Sequence, residues 1–220
     1  MRRNDTPGPV GTHALLRDGT VVELRPVGTN DKPLLVEGMA LLSPTSRRMR
    51  FMSATDQLSP AQLAYLTEID HNSHLAWGVL IDGAPVALGR LIRLPDRPEV
   101  AELGLTVVDQ WQRRGIGYLL LTVLAEVGRP LGIRRIVFEA LAENEAIIGL
   151  VDRFGATHHT SGGVVSGELD ASAVPPPARV EGDLVALAQT VRNLFAGRAE
   201  DGLTPRPAAG AVPRTRPAPG

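Results

Sequence analysis

Two glycines one residue apart, Gly115 and Gly117, stand between an apolar run on one side and a helical pattern on the other. With Gln112 they form the spacing Gln-x-x-Gly-x-Gly. Glycine allows the backbone to approach a ligand closely, and the first turn of the following helix presents unpaired N–H groups and a partial positive charge. The spacing therefore predicts a phosphate or pyrophosphate site. A βα turn whose glycines serve only tight packing stays open as the alternative.

Better known phosphate loops do not fit this spacing. A Walker loop requires Gly-Lys-Ser/Thr after a longer glycine spacing. A dinucleotide fingerprint requires a third glycine three residues beyond Gly117, where Leu120 stands. Both nucleotide-loop interpretations are therefore weakened.

The overall charge is balanced, so any preference for a charged partner must be local. The 220 residues carry 23 Lys+Arg and 24 Asp+Glu, a formal net charge of -1, which favours neither nucleic acid nor an anionic membrane. Arg47, Arg48 and Arg50 place three arginines within four residues. This cluster is either a solvated helix face or a contact with an acidic ligand or partner.

Composition limits the chemistry and the compartment. Hydrophobic residues make up 43% of the chain, enough for one full core with appendages. The absence of cysteine excludes disulfides, a thiolate zinc site and a cysteine acyl-enzyme. Residues 1–12 lack an apolar signal core, and no run of 18 apolar residues occurs. We therefore expect a cytoplasmic protein that is neither secreted nor inserted in a membrane.

Hydrophobic periodicity predicts alternating strands and helices. Strands are expected over residues 20–27, 75–81, 85–94, 99–108 and 133–140, with one or two more between 157 and 169. Helices are expected after a cap at Asn30 or Asp31, after the capping box that begins at Ser59, and over 115–127 and 144–154. The crossover from residue 99 to 140 places the glycine loop at the carboxyl end of a strand, where open α/β sheets bind ligands.

The same pattern predicts the domain boundaries. We expect a disordered tail over residues 1–15 and one domain over 16–170. A Pro-rich linker over 171–182, an appended amphipathic helix over 183–199 and a disordered tail over 200–220 should follow. The appended helix either mediates self-association or packs back on the domain, so a monomer or a homodimer is expected.

The order of elements over 19–170, together with the Gln-x-x-Gly-x-Gly loop, resembles the GNAT superfamily of acetyl-CoA-dependent N-acetyltransferases. Several segments further resemble the bacterial protein lysine acetyltransferases of the Pat type: Ser-Arg-Arg-Met-Arg-Phe at 46–51, Leu-Ser-Pro at 58–60, Leu-Thr-Glu-Ile-Asp at 66–70 with His74, and Ala101-Glu102 before Trp111-Gln112. The resemblance implies an α/β (α+β) GNAT fold, in which a mixed, mostly antiparallel sheet carries a βαβ acetyl-CoA-binding core and flanking helices. Mycobacterial Pat-type members also carry a cyclic-nucleotide-binding domain. No second domain of that size stands in this sequence, so we expect no cyclic-nucleotide control.

The resemblance also assigns the cofactor site, with acetyl-CoA as co-substrate. Val107 would offer backbone groups to the pantetheine arm, and Asn144 would contact the pantetheine or the leaving thiol. Because Asn is also favoured at helix starts, a purely structural role for Asn144 stays open. The pyrophosphate would be surrounded mainly by backbone N–H groups, and Arg113 or Arg114 could add charge-assisted contacts. The residues around it would be Gln112, Arg113, Arg114, Gly115, Ile116, Gly117 and Tyr118.

Glu102 is the candidate general base in this resemblance. An amine is protonated at neutral pH and attacks a thioester only after a base removes the proton. By resemblance, Glu102 lies on the strand that lines the cleft, and a half-buried carboxylate there would suit a base. A solvent-facing role for Glu102, with Glu99 as the competing carboxylate, stays open. Many small-molecule GNAT enzymes carry a tyrosine where Leu150 and Val151 stand, and its absence favours the Pat-type branch.

The histidines at 71, 74, 158 and 159 do not form a ligand set at a metal-binding spacing, so we expect structural or surface roles and no metal. The leading hypothesis is acetyl transfer to a primary amine, with a protein lysine preferred. A small amine acceptor is the first alternative, and a non-catalytic acyl-CoA-binding regulatory module is the second. Nucleic acid and membrane partners are not expected.

Overall fold

A computed structural model describes residues 10–53 and 56–199. Its centre is an eight-stranded mixed sheet in the order β1-β2-β3-β4-β5-β6-β8-β7. All neighbours pair antiparallel except β5 and β6, which are parallel. The strands are β1 Thr12–Leu15, β2 Val21–Pro26, β3 His74–Ile81, β4 Ala84–Leu94, β5 Arg97–Val107, β6 Arg135–Leu141, β7 Thr157–Ser161 and β8 Val164–Asp170. The helices are α1 Lys32–Ala40, α2 Pro44–Phe51, α3 Pro60–Thr67, α4 Ile116–Gly128, α5 Glu145–Asp152 and α6 Leu184–Ala199.

The predicted hairpin and crossover are both present. Asp82 and Gly83 join β3 to β4 with φ values of 52° and 79°, the left-handed pair that a two-residue hairpin requires. Helix α4 then connects β5 to its parallel neighbour β6. The predicted α/β fold, with its mostly antiparallel sheet, βαβ unit and flanking helices, is confirmed.

One face of the sheet packs on α4. This helix buries almost every side chain, and Leu120, Leu121 and Leu124 are fully enclosed against inward residues of β3, β4 and β5. Burial of one leucine contributes about 1.5–3 kcal/mol, so α4 anchors the glycine loop that precedes it. Within the described ranges, no helix is both long and apolar enough to cross a membrane.

The opposite face is covered by α1, α2 and α3. Ser43 and Ser59 cap α2 and α3 by accepting the N–H of Ser46 and Gln62, and the predicted capping box at Ser59 is complete. Asp31 is the N-cap residue of α1, in agreement with the prediction, but its side chain makes no cap hydrogen bond. Asp31 instead accepts two hydrogen bonds from the Arg25 guanidinium, at 2.7 and 2.9 Å, because both side chains are buried and a buried charge requires a partner.

The amino-terminal boundary differs from the prediction. Thr12–Leu15, placed in the tail by the sequence, form β1 and pair with β2 from Thr12↔Leu24 to Leu15↔Val21. The nearby glycines and proline hide the strand signal, and the pairing of β1 depends on β2 rather than on local propensity. The remaining tail residues, 1–9 and 200–220, lie outside the described ranges.

The predicted linker and appended helix are packed on the domain. Arg179 accepts a hydrogen bond from the Leu15 N–H at 3.0 Å, and the Glu181 N–H donates to His13 at 2.9 Å. Leu184 and Ala188 of α6 are buried in the same core as α4. Further along α6, Leu194 is 49% exposed, and the side chain of Phe195 lies outside the described part.

Candidate active site

Strands β5 and β6 diverge and open a gap in the sheet. Their parallel pairing runs from Val100↔Arg135 to Glu102↔Val137, whereas β5 continues to Val107 and β6 to Leu141. Beyond Glu102, β5 remains paired with β4 on its other side, as far as Val107↔Ala87. The edge of β5 that faces the gap therefore presents extended backbone to which an extended ligand can add as a strand does.

The glycine loop closes one end of this gap. After a 3-10 turn at Asp109–Trp111, Arg113 adopts φ 64° and Gly115 adopts φ 89°. Gly115 is the N-cap of α4 and provides no side-chain cap, so the first-turn N–H groups receive no side-chain acceptor from that position. A left-handed non-glycine residue such as Arg113 is uncommon and strained. The loop and the helix dipole together form an anion-binding geometry.

A hydrogen-bond network ties the glycine loop to α2. The Asp109 carboxylate accepts bonds from the Ser43 N–H at 2.9 Å, the Ser43 hydroxyl at 2.7 Å and the Ser46 hydroxyl at 2.8 Å. Burial alone would raise the pKa of Asp109, but these bonds outweigh it and hold the pKa below its usual value. The Gln112 amide donates to the Val107 carbonyl at 3.1 Å and to the Ser46 hydroxyl at 3.2 Å.

This network was not predicted from the sequence. Its serines at the start of α2 and its partners in the glycine loop lie 63–66 residues apart, so no local spacing connects them. In this network the Gln112 side chain bonds to other protein groups, and these bonds fix the glycine loop relative to the end of β5.

Arg114 also contacts neighbouring protein groups. Its guanidinium lies 4.7 Å from the centre of the Trp111 ring and 3.5 Å from the Asp18 carboxylate. Such an exposed ion pair is weak, so the side chain can exchange this partner for a phosphate at little cost.

The predicted side chains on α4 and α5 contact other groups of the protein. Ile116 is 1% exposed, so only its backbone can meet a ligand. The Tyr118 ring stacks 5.1 Å from the Phe154 ring. Asn144 is the N-cap of α5 and accepts the Ile147 N–H at 3.3 Å. The helix-start role that stayed open for Asn144 is therefore present.

Glu102 lies where β5 and β6 separate. Side chains alternate between the two faces of a strand, and the neighbours Ala101 and Leu103 are buried in the α4 core. Glu102 therefore projects to the α1–α3 side, where it is half-buried. The competing carboxylate Glu99 lies near the start of β5, 3.9 Å from Arg135.

Two arginines share this face with Glu102. A Cβ added at Gly104 would lie 2.7 Å from Arg50 Nη2 and 3.2 Å from Arg90 Cγ. Glycine therefore leaves the space that the Arg50 guanidinium occupies, and a larger residue there would displace it. Arg90 is 2% exposed. Burial lowers the pKa of Arg50, and attraction to Glu102 opposes that shift. A functional role for Arg90 was not predicted from the sequence, although a charged residue inside the apolar strand β4 is unusual and could have indicated one.

The histidines near this face are buried and neutral. Arg90 Nη1 lies 3.1 Å from His74 Nε2. Burial and then the Arg90 charge lower the pKa of His74 to about 3, so the neutral ring accepts this bond. Burial also lowers the pKa of His71 to about 4. In residues 10–53 and 56–199, no cluster of His, Cys, Asp and Glu is arranged to hold a metal ion.

Known proteins with this arrangement are acetyltransferases. The profile of the acetyltransferase (GNAT) family matches residues 41–156. Over 175 residues the chain is 34% identical to the acetyltransferase Pat of Mycolicibacterium smegmatis. The aligned region covers 78% of this chain and 50% of that protein. It thus spans about half the length of this curated relative.

Solved structures agree with the sequence match. The GNAT domain of S. lividans PAT superposes with a TM-score of 0.69 at 30% identity and covers 73% of this chain and 96% of that domain. A cAMP-binding acyltransferase from Mycobacterium smegmatis superposes with a TM-score of 0.63 at 25% identity, covering 86% of this chain and 56% of that protein. The chain therefore belongs to the GNAT family of acetyltransferases, and its catalytic domain is of the Pat type.

Proposed function

We propose that this acetyltransferase moves an acetyl group from acetyl-CoA directly to the ε-amine of a lysine in an acceptor protein, with Glu102 as the general base. The observation that carries the proposal is the position of Glu102, a half-buried carboxylate on the last residue of β5 that pairs with β6. The Pat-type segments of the sequence support a protein lysine as the acceptor.

In this proposal, acetyl-CoA occupies the gap and the glycine loop. The pantetheine arm adds along the β5 backbone as far as Val107, whose carbonyl is held in place by Gln112. The pyrophosphate is bound by backbone N–H groups of Arg113, Gly115, Ile116, Gly117 and Tyr118. Arg114 can supply a charge-assisted bond after leaving Asp18, and Asn144 lies on the thiol side at the start of α5.

Glu102 begins the chemistry by taking a proton from the acceptor ammonium, directly or through one water. The neutral amine then attacks the thioester carbonyl carbon and forms the new C–N bond. Collapse of the tetrahedral intermediate breaks the C–S bond and expels the CoA thiolate, and the nitrogen gives its second proton to that thiolate or to water. Because a thiol pKa is roughly 8.5, the thiolate leaves without requiring a dedicated acid. With no cysteine in the chain, transfer is direct.

The test compares Glu102→Gln with Glu99→Gln, a matched change on the same strand. CoA release is measured with acetyl-CoA and a panel of lysine-containing proteins and small amines across pH. Loss of a general base should lower kcat by about 10²–10⁴-fold in Glu102→Gln, with acetyl-CoA binding retained. Glu99→Gln should stay close to the unaltered enzyme.

Equal losses in both variants would reject Glu102 as the base. Turnover on small amines alone would reject the lysine acceptor. Tight acetyl-CoA binding without turnover on any acceptor would instead support a regulatory module.

A further inference from the structure

A cavity of about 90 Å³ lies between the sheet and the helices α1 and α2. It lies on the sheet face that carries Arg50 and Arg90, and Thr106 and Val108 at the end of β5 also line it. Most of its lining is apolar, including Leu35, Met39, Leu42, Phe51 and Leu88. One water needs roughly 10–15 Å³ on this measure, so the cavity holds a ligand portion on the order of six non-hydrogen atoms. We call it the α1–α2 cavity.

Both arginines also line the α1–α2 cavity. Arg90 extends from β4, and Arg50 reaches from α2 into the space that Gly104 leaves open. Their mutual repulsion contributes, after burial, to the lowered pKa of Arg90. Two like charges at one wall of an apolar cavity, the Arg90 charge on a buried side chain and the Arg50 charge on a half-buried one, are costly unless an anion lies near both of them.

The charged neighbours leave a local excess of positive charge. Asp31 also lines the cavity, but it is held by both terminal nitrogens of Arg25. His74 is neutral and accepts from Arg90. Glu102 attracts Arg50 and supplies one negative charge against the two guanidiniums. A second anion between the two guanidiniums would balance them, and a carboxylate fits because guanidinium groups bind it through paired N–H donors.

From this geometry we infer that the α1–α2 cavity binds a short aliphatic carboxylate, with its carboxylate between Arg50 and Arg90 and its apolar tail among the lining residues. The carboxylate has two chemical sources: a free branched or linear acid, or the carboxylate of an aliphatic amino acid. Occupancy of this site requires no acetyl transfer.

Direct binding tests the inference on the unaltered chain. Isothermal titration calorimetry compares isovalerate with isovaleramide, its neutral isostere of nearly equal shape, and also measures leucine as an aliphatic amino acid. The two carboxylates should bind at least tenfold more tightly than isovaleramide. Equal binding of isovalerate and isovaleramide, or no binding of either carboxylate, would overturn the inference without bearing on acetyl transfer.

Variants then locate the carboxylate. Arg50→Met should weaken isovalerate binding at least tenfold, and Gly104→Ala should weaken it by displacing the Arg50 guanidinium. Arg48→Met is the matched control, since Arg48 lies on the same helix and pairs with Glu143, and its binding should be unchanged. If Arg50→Met keeps its circular dichroism spectrum and binds isovalerate normally, the assignment of Arg50 is wrong.

Leucine distinguishes the two sources of the carboxylate. Release of CoA from acetyl-CoA in the presence of leucine, abolished in Arg50→Met, would identify an amino-acid acceptor that uses this site. Binding of leucine and isovalerate without CoA release would identify the carboxylate as an effector. Either result supports the site itself.

Discussion

The two faces of β5 contrast in how they are built. On one face, Ala101 and Leu103 pack beneath α4 in a dry apolar core. On the other, Glu102 and Gly104 face a layer of arginine, histidine and cavity under α1–α3. The α4 face gains stability from close packing, whereas the α1–α3 face retains charge and space. Close packing on the α4 face fixes the glycine loop, whereas the α1–α3 face leaves polar groups and space beside Glu102.

Leucine truncation should separate the two faces by stability. Leu124→Ala, at a fully buried position of α4, should lower the free energy of unfolding by about 2–5 kcal/mol because it opens a void in a packed core. Leu42→Ala, beside the α1–α2 cavity, should cost less because its surroundings are already incompletely packed. Urea denaturation measures both changes. An equal or larger loss in Leu42→Ala would contradict the contrast.

The buried histidines should make the α1–α3 face sensitive to acid. Since their pKa values are lowered to about 3 and about 4, the unfolded chain binds more protons below its ordinary histidine pKa of about 6.5. The stabilisation is therefore fully present above about pH 6.5 and is lost as pH falls toward the folded values.

His74→Gln keeps an acceptor for Arg90 and removes this titration. Between pH 6.5 and 4, its stability should fall less steeply than that of the unaltered chain, by up to about 1.4 kcal/mol per pH unit. Denaturant midpoints across that range measure the slope, with His159→Gln on an exposed strand as the control. Identical slopes for His74→Gln and the unaltered chain would reject the neutral, buried histidine.

The smallest effect is expected at the link between the faces. Asp109→Asn replaces one acceptor oxygen with a donor that meets the Ser43 and Ser46 donors. We expect acetyl-CoA binding to weaken by about fivefold, equivalent to about 1 kcal/mol for a disturbed hydrogen bond. Asp170→Asn, at a carboxylate that bonds Ser172 far along the chain, should leave the affinity unchanged. Unaltered affinity in Asp109→Asn would show that the network does not hold the loop.

The α4 face was largely predictable from sequence. Periodicity identified α4 and its neighbouring strands, and the spacing of Gln112, Gly115 and Gly117 located the loop at the helix start. These features are local, because a helix stripe and a glycine turn are encoded within a few consecutive residues. The Asp82-Gly83 hairpin and the Ser59 capping box were predictable for the same reason.

The α1–α3 face was not predictable in the same way. Arg50 was visible only as one member of a basic cluster, and nothing local showed that it turns inward over Gly104 while Arg48 pairs with Glu143. Strand β1 was missed because its pairing partner, not its own composition, stabilises it. The packing of residues 171–199 against α4 and β1 likewise depends on contacts between distant segments, and Thr12 and Glu181 are 169 residues apart.

The sequence by itself determined the fold class, the helix that anchors the loop, and the residue types available for acetyl transfer. Only the tertiary structure decided which face of β5 carries Glu102, where β5 separates from β6, and which arginines meet behind Gly104. The physical reason is that periodicity and turn chemistry act over a few residues, whereas charge clusters and cavities arise when packing brings distant segments together.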